Sequence, residues 1–283
     1  MFTTKKGYSK RKKKTMYTLD KSALDELSKE IIEARIFAKR MQNEIHRSFK
    51  SDGSVLTETD LAISKRIEED VARLFPDCGF ISEEAEIVKK EDAKYTFILD
   101  PIDGTDVYSQ GLPSFAISLG IIDSNREPVG AMIYLPRFGR GREDMFVRLD
   151  PNGELLVDGK VFTLQDNKDD VKQVTMGSGG QVKMDFSHFE GKVRTFGSSI
   201  IHLLSVVVFS AIQGCVNQPC FVWDIVSAHA VLKKVGMDIV YVDGEKFVYT
   251  DSFLYEKKKF KKDIYAGTPK AIECMRKILP VRV

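Results

Sequence analysis

Two carboxylates three residues apart, Asp100 and Asp103, close an apolar stretch and stand directly before Gly104-Thr105. Carboxylate oxygens are ligands for hard cations, and free backbone N–H groups after a glycine can cradle an anion. The segment could therefore hold a divalent cation and a phosphate side by side. Asp-Pro-x-Asp-Gly is equally ordinary surface-turn chemistry, so this stretch alone leaves both readings open. A second acidic pair, Glu83-Glu84, ends another short apolar run. Paired acids are usually solvated, but here one of them could face the same site. Asp60 has a local explanation: it lies three residues after Thr57, the spacing of a capping box.

These residues need elements to position them. Residues 96–99 read as a short buried strand stopped by Pro101, which fixes its own φ and biases Asp100 towards an extended backbone. Residues 80–82 read as another strand. A long amphipathic helix is predicted over residues 20–49, with Leu24, Leu27, Ile31, Ala34, Ala38, Met41, Ile45 and Phe49 on one face and a capping box at Ser22 and Asp25. A loop over residues 50–54 leads to a second helix burying Ile63, Ile67, Val71 and Leu74 and ended by Pro76. Residues 114–122 and 129–135 form a predicted hairpin, and Asp158-Gly159 a tight turn. From about residue 170 strands and helices alternate. Strands are expected over 171–176, 193–196, 239–242 and 264–266. Gly197-Ser198-Ser199 opens an apolar helix, Trp223-Asp224 begins another that ends near Gly236, and Thr268 with Pro269 starts the last.

The chain has 283 residues and a formal net charge of +2, enough length for one large domain or two medium ones with a substantial core. Residues 1–14 hold seven basic side chains and no acid, so the rest of the chain is mildly acidic. The arm reads as a disordered, solvated tail; contact with RNA or anionic lipid is the sharper alternative. Cys78, Cys215, Cys220 and Cys274 show no CxxC spacing, which argues against a zinc site and for free thiols in a reducing, cytoplasmic setting. No apolar h-region follows the basic N-terminus, so no secretory signal is expected. The most apolar run, residues 200–216, is shorter than a bilayer span and is interrupted by His202, Ser205, Ser210 and Gln213. It reads as a buried helix, and no membrane association is expected. His46, His188, His202 and His229 default to surface or satisfied core.

Taken in order, Thr57-x-x-Asp60, Glu83-Glu84, Asp100-Pro101-Ile102-Asp103-Gly104-Thr105 and Trp223-Asp224 followed by a helix resemble the inositol monophosphatase family of magnesium-dependent, lithium-sensitive phosphatases. The resemblance runs from about residue 20 to the C-terminus. It implies a mixed α/β fold in αβαβα layers, of the sugar-phosphatase type. Residues 16–170 would form an α+β half carrying most ligands, and residues 171–283 an α/β half. It implies two or three Mg²⁺ ions: Glu83, Asp100 and the Ile102 carbonyl at the first, Asp100, Asp103 and Asp224 at the second, Asp60 near a weaker third. Glu83 and Thr105 would orient the attacking water, Asp60 would pair with Thr105, and Lys50 would stand near the metals. Gly104, Thr105, Gly197, Ser198, Ser199 and Asn217 would join Asp103 and Asp224 around the phosphate ester. Asn217 stands where inositol enzymes often carry an acid, and Asp106-Val107-Tyr108 departs from the pattern usual after Gly-Thr. The expected activity is hydrolysis of a polyol or sugar phosphate monoester, most directly inositol monophosphate. Fructose 1,6-bisphosphate and 3′-phosphoadenosine-5′-phosphate are the alternatives, and a regulatory RNA- or protein-binding role of the arm is the non-enzymatic one. Homodimerisation is also expected from the resemblance.

Overall fold

The computed structural model describes residues 18–51, 53–139, 141, 143–164 and 168–282. The basic arm expected over residues 1–15 lies outside the described residues. The chain begins with α1 (Lys21–Met41), a two-residue hairpin β1 (Ser48–Phe49) and β2 (Val55–Leu56), and α2 (Glu58–Leu74). Then come β3 (Gly79–Ser82), β4 (Tyr95–Asp103), the short α3 (Thr105–Ser109), and β5 (Ala116–Asp123), β6 (Pro128–Pro136), β7 (Asp144–Leu149), β8 (Leu155–Val157) and β9 (Lys160–Val161). The second part holds β10 (Gln173–Met176), α4 (Gly180–Lys183), β11 (Lys192–Arg194), α5 (Ser199–Val208), β12 (Gly214–Asn217), α6 (Val226–Lys234), β13 (Asp238–Tyr241), α7 (Asp251–Tyr255), β14 (Ile264–Gly267) and α8 (Pro269–Ile278).

Strands β3 to β9 form one sheet in sequential order, with β3 and β4 parallel and the other pairs antiparallel. A five-stranded sheet has the order β11-β10-β12-β14-β13. Leu27, Ile31, Ile63 and Ile67 of α1 and α2 pack with Phe97, Leu99 and Ile117 on one face of the large sheet. Helices α5 and α6 fill the space between the two sheets, with Ile98, Ile133, Leu203, Val231 and Ile239 in one core. Met275 and Ile272 of α8 close the outer face of the small sheet over Val174 and Tyr265. The result is five layers, αβαβα. Helices α1 and α2 touch water on one side and read as amphipathic. By contrast, α5 is buried over almost its whole length, with His202 and Ser205 the polar residues among its buried side chains. No described helix is long and apolar enough to cross a membrane.

Four expectations need correction. Helix α1 stops at Met41, with Asp20 rather than a Ser22–Asp25 box as its cap, accepting from the Ala23 N–H. Phe49, expected on its buried face, is 68% exposed in β1. The apolar run 200–216 is not one helix: it divides into α5, a turn and β12, because a helix between the sheets and an internal strand of the small sheet are both buried and equally apolar. Strand β4 is not stopped by Pro101 but runs on to Asp103. Its pairing with β5 slips there: Asp100 pairs with Ser118 and Asp103 with Ala116, so one extra residue bulges out of β4. A bulge is a place where a strand tolerates proline, which has no N–H to give the ladder. Pro269 at the first turn of α8, the capping box of α2 and the 116–136 hairpin are as predicted.

Candidate active site

The bulge in β4 builds the centre of the site. In a regular strand, residues three apart point to opposite faces. The inserted residue cancels that alternation. Ile102 turns into the core under α1 and α2, while Asp103 joins Asp100 on the face that meets α5. The Asp103 carboxylate then caps α5, accepting from the Ser198 hydroxyl, the Ser199 N–H at 3.2 Å and the Ile200 N–H at 2.8 Å. Helix α6 brings the third acid. Gly120 in β5 leaves room for it: a Cβ there would stand 2.4 Å from Val226 Cγ1 and 2.8 Å from the Ser227 nitrogen. The Ser118 and Ser227 hydroxyls meet at 2.6 Å, and Ser118 is the cross-strand partner of Asp100. Asp224, just ahead of α6 and held by the Phe221 N–H at 2.7 Å, is thereby set over Asp100. Ligand oxygens of Asp100, Asp103 and Asp224 all lie within 4.8 Å of one another.

Around this trio stand the other expected residues. Glu83 follows β3, whose parallel pairing with β4 places it beside the end of that strand, and its N–H reaches the Leu99 carbonyl at 3.3 Å. Glu83 lies outside the group of three. Its carboxylate is held by Lys50 Nζ at 2.5 Å, and the same ammonium reaches Glu84 at 2.6 Å. Asp60, buried at the start of α2, accepts from the Thr57 N–H at 3.0 Å and from the Thr105 hydroxyl at 3.3 Å. Thr105 also donates to the Ile102 carbonyl at 2.9 Å. Gly104 turns the chain from β4 into α3 at φ 92°, a left-handed conformation that favours glycine, with the Gly197 carbonyl closing in behind it.

The electrostatics of the group are those of anions short of countercharge. Burial, with Glu83, Asp103 and Asp224 close by, pushes the Asp100 carboxyl well above its usual range. Asp224 is raised by burial and by Asp103 and Glu83. Burial raises Asp103 to about 6 against the pull of its bonds to α5, and raises Asp60 to about 7 against the Thr57 bonds. Glu83 is raised by burial despite Lys50. The donors of the trio are all hard oxygens, with the Ile102 carbonyl beside them and no imidazole or thiol in the group. That set fits Mg²⁺ or another hard divalent cation, whose charge would satisfy the buried acids.

A cleft of about 770 Å³ opens onto the trio. Its walls include Lys50, Glu83, Thr105, Gly197 and Ser199. Two of the expected ester contacts, Ser198 and Asn217, do not line this cleft itself. Ser198 is buried, and its hydroxyl is spent on Asp103 and the Ile201 N–H. Asn217 ends β12 in a side pocket of about 260 Å³ that shares Gly197 and Ser199 with the cleft, and it bonds Cys220 Sγ at 3.5 Å. Sequence reasoning missed Phe221, Lys257 and Lys259 on the cleft wall and Glu84 on Lys50. The lysine run at 257–262 was the available signal, but nothing local places it opposite Asp100.

A model of the inositol monophosphatase family matches residues 12–273. The chain is 28% identical over 229 residues to inositol monophosphatase 1 of Saccharomyces cerevisiae, covering 71% of this chain and 74% of that one. It is 26% identical over 216 residues to the fructose-1,6-bisphosphatase/inositol-1-monophosphatase of Aquifex aeolicus, covering 71% and 77%. Among solved structures, a Thermotoga maritima IMPase superposes with a TM-score of 0.73 over 91% of this chain and 96% of that one, at 19% identity. With a family model spanning nearly the whole chain and the same layered fold in a solved relative, this protein belongs to the inositol monophosphatase family, a family of phosphoric monoester hydrolases.

Proposed function

We propose that the protein is a Mg²⁺-dependent phosphatase acting on a phosphate monoester of a polyol or sugar, with inositol monophosphate as the first candidate. The observation that carries this reading is the group of three carboxylates, Asp100 and Asp103 buried and Asp224 half-buried, within 4.8 Å of one another on the wall of a cleft. Without a cation these acids would repel a phosphate, so the anionic substrate and the anionic site require positive charge between them. When bound, divalent ions supply that charge, acidify a water and stabilise the leaving alkoxide.

Asp100, Asp103, Asp224, Glu83 and the Ile102 carbonyl hold the ions. Asp103 does so from a carboxylate already fixed on α5, which keeps the site rigid. The single Thr105 hydroxyl hydrogen is shared between the Ile102 carbonyl and Asp60, which leaves the hydroxyl's lone pairs free to position a water. With its carboxylate raised to about 7, Asp60 can also carry a proton near neutrality. Glu83 faces the same water once Lys50 is shared with Glu84. Lys50 offsets the acidic pair and keeps Glu83 in place. The polyol extends past Gly197 towards the Asn217 side pocket, a neutral environment suited to hydroxyl groups. The test is phosphate release from inositol 1-phosphate, fructose 1,6-bisphosphate, 3′-phosphoadenosine-5′-phosphate and glycerol 2-phosphate, each with Mg²⁺, with EDTA and with Mg²⁺ plus Li⁺. Release that depends on Mg²⁺ and falls with Li⁺ is expected; release undiminished by EDTA would refute the reading.

A further inference from the structure

Glu83 has less support from the large sheet than the other expected ligands. It follows β3 and stands outside the group of three carboxylates, so its place depends on what grips it. Its N–H reaches the Leu99 carbonyl at 3.3 Å, and its carboxylate meets Lys50 Nζ. Its carbonyl is gripped from the second part of the chain, where Lys257 Nζ donates to it at 3.0 Å.

The backbone at Lys257 is in a conformation that lysine rarely adopts. Helix α7 ends at Tyr255 with Glu256 as its C-cap, and Lys257 follows at φ 47°. Glycine takes this left-handed conformation after a helix without strain; lysine does not. Such strain persists only where the surroundings hold it, and it gathers at functional sites. The surroundings here hold it before, after and beside. Phe253 and Leu254 of α7 are buried, and Lys89 Nζ lies 5.5 Å from the Tyr255 ring centre. Phe260 is buried, and its N–H reaches the Cys220 carbonyl at 3.3 Å. The Lys257 ammonium itself lies 5.9 Å from the ring centre of Trp223, the neighbour of Asp224. The left-handed turn thus brings the lysine back to the cleft wall that Glu83 also lines. A glycine would end the helix equally well but would not reach Glu83.

We propose that Lys257 is a positioning residue. By holding the Glu83 carbonyl it fixes the bend after β3, and with it the direction in which the Glu83 carboxylate meets a cation at Asp100, Asp103 and Asp224. The inference rests on the metal-dependent reading above. The charge of Lys257 works against this role, because an ammonium on the cleft wall repels a divalent cation. Charge and position therefore give opposite outcomes. If Lys257 acted through its charge alone, removing it would tighten Mg²⁺ binding. If it acts by holding Glu83, removing it weakens binding.

The test is calorimetric titration of Mg²⁺ into the wild type, K257G, K257R, E83A and the E83A/K257G double variant, with thermal melts in EDTA. Glycine removes the contact and the strain together, so K257G is expected to melt within about 2 °C of the wild type. Its Mg²⁺ dissociation constant is expected to rise about three- to tenfold, the range of one hydrogen bond of ordinary strength. K257R keeps a charged donor and stays within about twofold of the wild type. In the E83A background the change to glycine shifts binding by less than about 1.5-fold, because the residue through which Lys257 acts is gone. Binding by K257G that is unchanged or tighter, or a loss that persists in E83A, would overturn the inference and leave the metal site standing. A wild type that binds no Mg²⁺ would overturn the metal reading and this inference with it.

Discussion

Metal binding at this site should be strongly coupled to protons, and the structure sets the scale. A cation can be held by Asp103 only when its carboxyl is ionised, and in the metal-free protein that carboxyl is raised to about 6. At pH 5 it is about nine-tenths protonated, so binding must expel a proton there and need not at pH 8. One pH unit below that midpoint costs about 1.4 kcal/mol, or about tenfold in affinity. Asp60, raised to about 7, adds to the same trend wherever the ion's field reaches it. Asp100 and Asp224, both raised well above the usual range, push the same way. His202 is held down to about 4 by burial and stays neutral across this window, so it does not blur the comparison. The Mg²⁺ dissociation constant should therefore fall at least about tenfold between pH 5 and pH 8. Calorimetry in buffers of different ionisation enthalpy should count about one or more protons released per ion at pH 5. A dissociation constant that moves less than about twofold, with no proton release, would refute the reasoning that these acids are charge-starved and jointly bind the ion.

Three further outcomes follow from the same geometry. A carboxyl whose folded pKa is raised contributes stability that is present below its unfolded value and lost as pH rises through the folded one. Asp100→Asn should therefore raise the melting temperature at pH 8 in EDTA, by about 2–4 °C for each kcal/mol of repulsion relieved; a melt below wild type would contradict the repulsion. Gly120→Ala places a methyl against Val226 and the Ser227 backbone, and it should cost about 1–3 kcal/mol while weakening Mg²⁺ binding through Asp224. Unchanged thermal and calorimetric behaviour would show that α6 does not rest on β5 as described. Lys50→Met leaves Glu83 and Glu84 without their shared cation. In EDTA it should lose about 1–3 kcal/mol, between the values for surface and buried pairs, with part of the loss recovered in Mg²⁺. Denaturant melts that match wild type would assign Lys50 no such role.

What could be read from the chain was local. The Thr57–Asp60 box, the 116–136 hairpin and the N-terminal proline of α8 are short-range devices whose residues report their own geometry. The order of acids from Asp60 to Asp224 pointed to the family before any fold was known. What stayed hidden was set by tertiary contacts. Pro101 looked like a strand terminator, yet it occupies a bulge that turns Asp100 and Asp103 to one face. Ser198 looked like a substrate contact, but its hydroxyl is committed to Asp103. Residues 200–216 lost their helix–strand boundary because both sides of it are buried. Lys257 and Lys259 belong to a run of lysines, and only the fold brings these two to the cleft wall.

The central claim is that Asp100, with Asp103 and Asp224, makes a metal-dependent hydrolytic site. The most direct measurement is the rate of phosphate release from inositol 1-phosphate by the wild type and by Asp100→Asn, each in Mg²⁺ and in EDTA, with circular dichroism to verify the fold. The account predicts turnover by the wild type in Mg²⁺ alone, and a loss of at least about a hundredfold in Asp100→Asn with the fold intact, the size expected when an electrostatic anchor of the transition state is removed. A folded Asp100→Asn protein that turns over at the wild-type rate would contradict it.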